Sequence, residues 1–189
     1  RSALVFPALE MVRAGKIIGP RSFSTGEIVY GAKNPHVYAQ IDSKADALAH
    51  IRRLKAQGAH SIKNYNQPRR DQRQQVVAAA IEENMRSVAE GGSLFGLDMT
   101  LIADGNTTVE HNVPVETFYQ DVQQFFSRSK VGYTPTLVVT YGGPAADPYW
   151  RAHTEVWKQP LLQKHVPESV LIANNARRTI APEDNYVDD

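Results

Sequence analysis

The sequence predicts an α/β protein in which parallel strands are joined by crossover helices. Segments of strand type and segments with helical periodicity alternate at least four times along the chain. The predicted strands begin about 20–30 residues apart, which is the usual length of a βα repeat. These residues alone leave two architectures open, a doubly wound sheet and a (β/α) barrel. Five predicted strands are too few to close an eight-stranded barrel.

The first half of the chain supplies three helices and two strands. Apolar side chains at helical spacing predict helices over residues 4–14, 42–58 and 69–85. Strands are predicted within 21–31 and over 59–65. Asp42 or Ser43 can cap the second helix, where Ser43 and Asp46 resemble a capping box, and Gly58 ends it.

The second half continues the alternation. Strands are predicted over 86–92, 107–111 and 134–143, helices over 93–105 and 115–129, and helical pieces within 147–176. We expect residues 1–189 to form a single domain, since no linker or low-complexity segment interrupts them. The acidic tail, 181–189, is expected to be disordered.

Composition excludes several classes of protein. The chain has 189 residues with 21 basic and 20 acidic side chains, so no charge imbalance points to nucleic acid or an anionic membrane as partner. No apolar run approaches the ~20 residues of a membrane span, and we identify no signal peptide. Cysteine is absent, which excludes disulfides and thiolate metal sites.

Three consecutive predicted strands end in residues that can carry chemistry. Lys63, Glu90 and His111 stand at these strand ends, and the carboxyl ends of parallel strands meet at one rim. Each also has a structural explanation: a solvated lysine, a helix-capping carboxylate and a structural histidine. Gly91 and Gly92 allow a phosphate-loop interpretation, although the P-loop lysine and its spacing are missing.

Several segments together resemble the amidohydrolase superfamily, in the imidazolonepropionase-like or prolidase-like branch often fused behind a Tol-B-like β-propeller. They are "GPRSFSTG", "IKNYNQPRRDQRQQV", "EGGSLF", "DMTLIADG", "VEHNVPV" and "GYTPTLVVTYGG" followed by "YW" and "VW". The resemblance spans nearly the whole chain, in order. It implies a (β/α)8 TIM-type barrel, of which this chain would supply about strands three to seven.

The resemblance also implies a site with one or two divalent metals, most often zinc. Lys63 matches the lysine that carbon dioxide carboxylates in many members, and His111 matches the strand-six ligand. Glu90 stands where strand five normally offers histidine. Tyr65 and Tyr141 are candidate substrate-binding residues at the same rim.

This chain departs from the family pattern at several points. The strand-one histidine pair and the strand-eight aspartate, the general base, have no counterpart, and Leu97 and Asn106 stand where we expect histidine. A partial barrel leaves sheet edges open. We therefore expect the chain to form a homo-oligomer or to belong to a longer protein, and to be inactive or weak alone. Whether it is an enzyme stays open.

Two functions follow from the resemblance. The first is hydrolysis of a C–N bond in a small cyclic or peptide-like amide by metal-activated water. The second is a metal-free binding or assembly module of the same fold. Relatives with a propeller are often exported to the periplasm or beyond, whereas the residues of this chain assign no compartment.

Overall fold

A computed structural model describes residues 4–36, 38–92, 94–136 and 154–175. The chain forms two compact units, Arg1–Thr134 and Pro135–Asp189. The second unit contains a 3-10 turn, Val156–Lys158, and the helices α6 (Pro160–His165) and α7 (Glu168–Asn175). The predicted disordered tail lies outside the described residues, and the single domain over 1–189 stays a prediction. No helix within the described ranges is long and apolar enough to cross a membrane.

The first unit alternates strands and helices, as predicted. Its strands are β1 (Val29–Tyr30), β2 (Ser61–Tyr65), β3 (Arg86–Glu90), β4 (Thr108–Glu110) and β5 (Gly132–Thr134). Its helices are α1 (Val5–Arg13), α2 (Lys44–Ala56), α3 (Arg70–Glu82), α4 (Phe95–Ala103) and α5 (Gln120–Ser129). All neighbouring strands pair in parallel.

The strand order favours the barrel over the doubly wound sheet. The strands lie side by side in chain order, β1-β2-β3-β4-β5, without the reversal that a doubly wound sheet requires. Crossovers of one hand between successive neighbours place all connecting helices on one face of the sheet. The predicted α/β, barrel-type fold is therefore confirmed, as a five-stranded portion of a barrel wall.

The core lies between the sheet and its helices. Ile62, Ala89 and Val109 are buried on the helix-facing side of neighbouring strands. Ile62 belongs to a cluster with residues of α2 and α3, and Ala89 and Val109 cluster with residues of α4. Because side chains alternate along a strand, Lys63 and Glu90 lie on the opposite face, where they are partly exposed.

Local capping and register account for the element boundaries. Ser43 caps α2, since its hydroxyl accepts a hydrogen bond from the Asp46 amide, as the sequence predicts. Helix α5 begins at Gln120, five residues later than predicted. Ahead of it, the Val113 amide donates to the Tyr133 hydroxyl over 2.9 Å. Strand β5 begins at Gly132, two residues before the predicted start at 134, and pairs with β4 over Gly132–Thr134. Residues 137–143 of the predicted strand lie outside the described residues.

Candidate functional site

Three neighbouring strands bring Lys63, Glu90 and His111 together. Lys63 pairs in register with Val88, and Glu90 lies two residues further along β3, so their side chains emerge on the same face. His111 directly follows β4. These three residues, which we call the rim triad, meet at the carboxyl edge of the sheet, where parallel α/β folds place their active sites.

The carboxylate of Glu90 is the centre of the rim triad. One of its oxygens, Oε2, forms an ion pair with the Lys63 ammonium. The other, Oε1, lies 2.6 Å from Nε2 of His111. The side chains of Lys63, Glu90 and His111 are 20%, 22% and 35% exposed, so the group is partly shielded and remains reachable from solvent.

The imidazole of His111 reaches this face through an unusual backbone conformation. Strand alternation alone would direct residue 111 to the helix-facing side, together with Val109. Instead, His111 has a φ of 70°, in the left-handed region that costs energy for a residue with a side chain. Its amide donates to the Thr134 carbonyl over 3.0 Å, which holds this conformation against β5.

The two partners of Glu90 outweigh the effect of its burial. Burial raises the pKa of this carboxyl, whereas the hydrogen bonds and charges of Lys63 and His111 lower it, and the net result is a lowered pKa. Glu90 therefore remains ionised at neutral pH and holds positive charge at the rim.

This lowered pKa predicts a pH-dependent contribution to stability. Glu90 should stabilise the folded state above its ordinary pKa of 4.5, and the contribution should be lost as the pH falls through the lower folded-state value. The difference in unfolding free energy between wild type and Glu90→Gln should accordingly shrink from about pH 7 to about pH 3.5. Urea titrations at both pH values measure it; a difference that stays constant or grows in acid would contradict the assignment.

A glycine turn connects β3 to α4 beside the rim triad. The Gly91 amide donates to the Glu110 carbonyl over 2.9 Å, and the Gly92 amide donates to Oδ1 of Asp98 over 3.0 Å. Both amides are thus engaged by protein oxygens, and a carboxyl group lies where a phosphate would bind. This geometry argues against the phosphate-loop interpretation.

Asp98, in the first turn of α4, is a feature that sequence analysis missed. Its side chain is fully buried. Burial raises the pKa of Asp98, although the bond from Gly92 and the charge of His111 act in the opposite direction. A carboxylate in a first helical turn is normally solvated, and the one sequence signal for its burial is the helical spacing that puts it on the same face as Leu101 and Ile102.

Tyr65 forms an aromatic border to the rim triad. The Lys63 ammonium lies 5.9 Å from the centre of its ring. Tyr30, the register partner of Tyr65 on β1, packs edge-on against it with 5.1 Å between ring centres. The sequence does not single out Tyr30, because its position beside Tyr65 depends on the pairing of β1 with β2. Tyr141 lies outside the described residues.

The two positions where we expected histidine have structural roles. Leu97 packs against the α4 core cluster. Asn106 is buried, donates to the Leu101 carbonyl over 2.8 Å and accepts from the Ser87 hydroxyl over 2.7 Å. Ser87 lies on the helix-facing side of β3, the side opposite Glu90. Asn106 thus serves packing under the sheet, where we had expected a side chain contacting the site.

The rim triad fits part of a metal-binding set. Glu90 and His111 offer a carboxylate and an imidazole, both ordinary zinc ligands, and Lys63 would become an oxygen donor on carboxylation. Across the described ranges, no three histidine, aspartate or glutamate side chains form a group that could hold a metal ion. A complete site would therefore need the carbamate or donors from elsewhere.

The fold is found in solved amidohydrolase structures. The sequence matches no family model and no curated protein. Similar structures include a Xaa-Pro dipeptidase with methionine bound in its active site (17% identity, TM-score 0.57, covering 94% of this chain and 47% of that one). They also include a bottromycin amidohydrolase (16% identity, TM-score 0.54, covering 95% of this chain and 43% of that one). A further amidohydrolase has 16% identity and a TM-score of 0.54, and the match covers 70% of this chain and 40% of that one.

These likenesses confirm the resemblance to the amidohydrolase superfamily at the level of the fold. This chain spans less than half the length of each of those structures. At such low identity, the shared feature is the succession of parallel strands and helices. The chemistry of the rim therefore has to be argued from this chain's own residues.

Proposed function

We propose that this chain supplies part of a metal-dependent amidohydrolase site, which hydrolyses a C–N bond in a small cyclic or peptide-like amide. The supporting observation is the rim triad: a carboxylate bonded on one side to a lysine and on the other to a histidine. It lies at the edge of the sheet where this fold carries its active sites. In hydrolases of this type, a bound divalent metal, zinc foremost, lowers the pKa of water and polarises the amide carbonyl.

Each member of the rim triad has a distinct role in this proposal. Glu90 and His111 would hold the metal directly, one as a carboxylate and one through an imidazole nitrogen. Lys63 would hold it after carboxylation, in which the neutral amine adds to carbon dioxide and releases one proton. In the metal-free protein the Lys63 ammonium forms an ion pair with Glu90. Metal binding to Glu90 would release Lys63 from that ion pair.

Substrate would lie against the aromatic border. Tyr65 faces the rim beside Lys63, and we assign Tyr141 to the same role from the sequence alone. No residue of this chain is assigned as general base, because the aspartate that the family places on strand eight has no counterpart here. We therefore propose that activity requires the remainder of a barrel, from a longer protein or from another copy of this chain.

Lys63→Arg tests the proposal, because arginine keeps a positive charge near Glu90 but cannot be carboxylated. Wild type should bind zinc in bicarbonate buffer, and ¹³C-labelled bicarbonate should give a carbamate NMR signal. Both should be lost in Lys63→Arg. Lys55→Arg is the matched control, since Lys55 binds Glu83 on the helical layer. Failure of wild type to bind zinc, manganese or iron would remove the proposal.

The alternative is a metal-free binding or assembly module. It is favoured by one observation: the Lys63 ammonium already balances the charge of Glu90, so the rim is paired without a metal. This alternative requires an uncarboxylated Lys63 and an unchanged melting temperature on addition of zinc. The same titration distinguishes the two functions.

A further inference from the structure

We infer that Asp98 is a positioning residue, which holds the Gly91–Gly92 turn and thereby places Glu90 against His111. The inference rests on the proposed function, which assigns the rim triad to the active site. Its subject, however, is the contact between Glu90 and His111 in the metal-free protein.

The first argument is the unusual position of the Asp98 side chain. It is completely buried, and Oδ1 accepts a hydrogen bond from the Gly92 amide over 3.0 Å. No donor within the described ranges reaches Oδ2. A buried carboxyl group with one unsatisfied oxygen costs stability. An apolar residue would pack there at lower cost, so stability does not explain an aspartate at this position.

The second argument is the close packing of the turn. A side chain on Gly91 would come within 3.2 Å of Oδ1 of Asp98 and within 2.7 Å of a methyl group of Val109. The turn is therefore enclosed between α4 and β4, with its two amides bonded to Asp98 and to the Glu110 carbonyl.

The third argument is what this turn controls. Glu90 is the last residue of β3, immediately before Gly91, so the path of the turn determines where its carboxylate lies. The contact between Glu90 Oε1 and His111 Nε2 is 2.6 Å, which leaves little tolerance for displacement. The imidazole reaches this contact from a left-handed backbone that β5 holds in place. Asp98 holds the other partner, Glu90, in place through its bond to the turn that follows β3.

NMR on the full chain without added metal can test this inference. At 2.6 Å, Nε2 of His111 must carry a proton toward the carboxylate, because two unprotonated acceptors would repel. This N–H should give a downfield-shifted proton signal at low temperature in protein labelled with ¹⁵N-histidine, assigned by its loss in His111→Gln. Asp98→Asn retains an oxygen that can accept from Gly92 and should keep the signal. Asp98→Leu has no acceptor and should lose it.

A matched control separates positioning from stability. Asp104 is the other buried carboxylate at α4, at its carboxyl-terminal end, where it bonds Arg70 and Gln74. Asp104→Leu should destabilise the protein yet keep the His111 signal. A signal that persists in Asp98→Leu, or that disappears in Asp98→Asn, would overturn the inference.

The wild-type protein provides a measurement that needs no variant. The Gly92 amide should exchange with solvent at least about tenfold more slowly than an unbonded amide, because Asp98 accepts its hydrogen bond. Unprotected exchange at Gly92 would also overturn the inference. If zinc fails to bind while these NMR results hold, the proposed function fails and the role of Asp98 stands.

Discussion

Replacing Glu90 by glutamine should weaken zinc binding by about 100-fold or more, the largest effect on function that we expect from a single substitution. Glu90 contacts both other residues of the rim triad. Glutamine keeps the size of the side chain but removes the negative charge, so it is a poor metal ligand and leaves Lys63 without an ionic partner. Isothermal titration with zinc in bicarbonate buffer measures the effect.

Glu83→Gln is the control for this prediction. Glu83 forms ion pairs with Arg52 and Lys55 between α2 and α3, remote from the carboxyl edge of the sheet. The substitution makes the same change of charge and should leave zinc affinity within about twofold, since a charge remote from the rim is largely screened by salt and solvent. Equal affinity of Glu90→Gln and wild type would show that the metal binds elsewhere.

Gly91→Ala should cause the largest loss of stability among the glycine substitutions of the turn, about 1–3 kcal/mol or more. A methyl group at this position would overlap the carbonyl oxygen of Glu110 and come within 2.7 Å of a Val109 methyl group. The obstructing oxygen belongs to the backbone, so no rotamer change can relieve the overlap. Strands β3 and β4 would have to separate at the edge where the rim triad lies. Urea unfolding measures the loss.

Gly96→Ala is the matched control, five residues further along the chain. Gly96 lies within α4, and a methyl group added there would meet no atom within 4 Å. Alanine is the better helix former, so this variant should be more stable than wild type by up to about 1 kcal/mol. If Gly91→Ala also proved neutral or stabilising, the close approach of the turn to β4 would be wrong, and the support it lends to the role of Asp98 would be lost.

Much of the fold could be predicted because local patterns agree with the tertiary structure. Ala47, Ile51 and Leu54 recur at helical spacing and are all buried in α2. Ser43 caps that helix through a short-range hydrogen bond that depends on sequence alone. Helix α5 was placed less well, since the predicted start at residue 115 lies five residues before its first helical residue, Gln120.

The candidate site divides in the same way. Lys63 and Glu90 could be found from the sequence, because both lie in strands whose alternation directs them to one face. His111 could be named but not oriented, since its imidazole reaches Glu90 only through a left-handed backbone. Asp98 was missed because a carboxylate in a first helical turn is normally solvated, although its helical spacing from Leu101 and Ile102 places it on the buried face of α4.

The sequence by itself determined the order of helices and strands, the caps, and which residues stand at the strand ends, because these depend on interactions between neighbours in the chain. The tertiary structure alone decided which face each side chain reaches, that Asn106 lies under the sheet, and that Glu90 joins Lys63 to His111. The physical reason is that strand pairing and close packing bring together groups far apart in sequence, whose contacts no local pattern records.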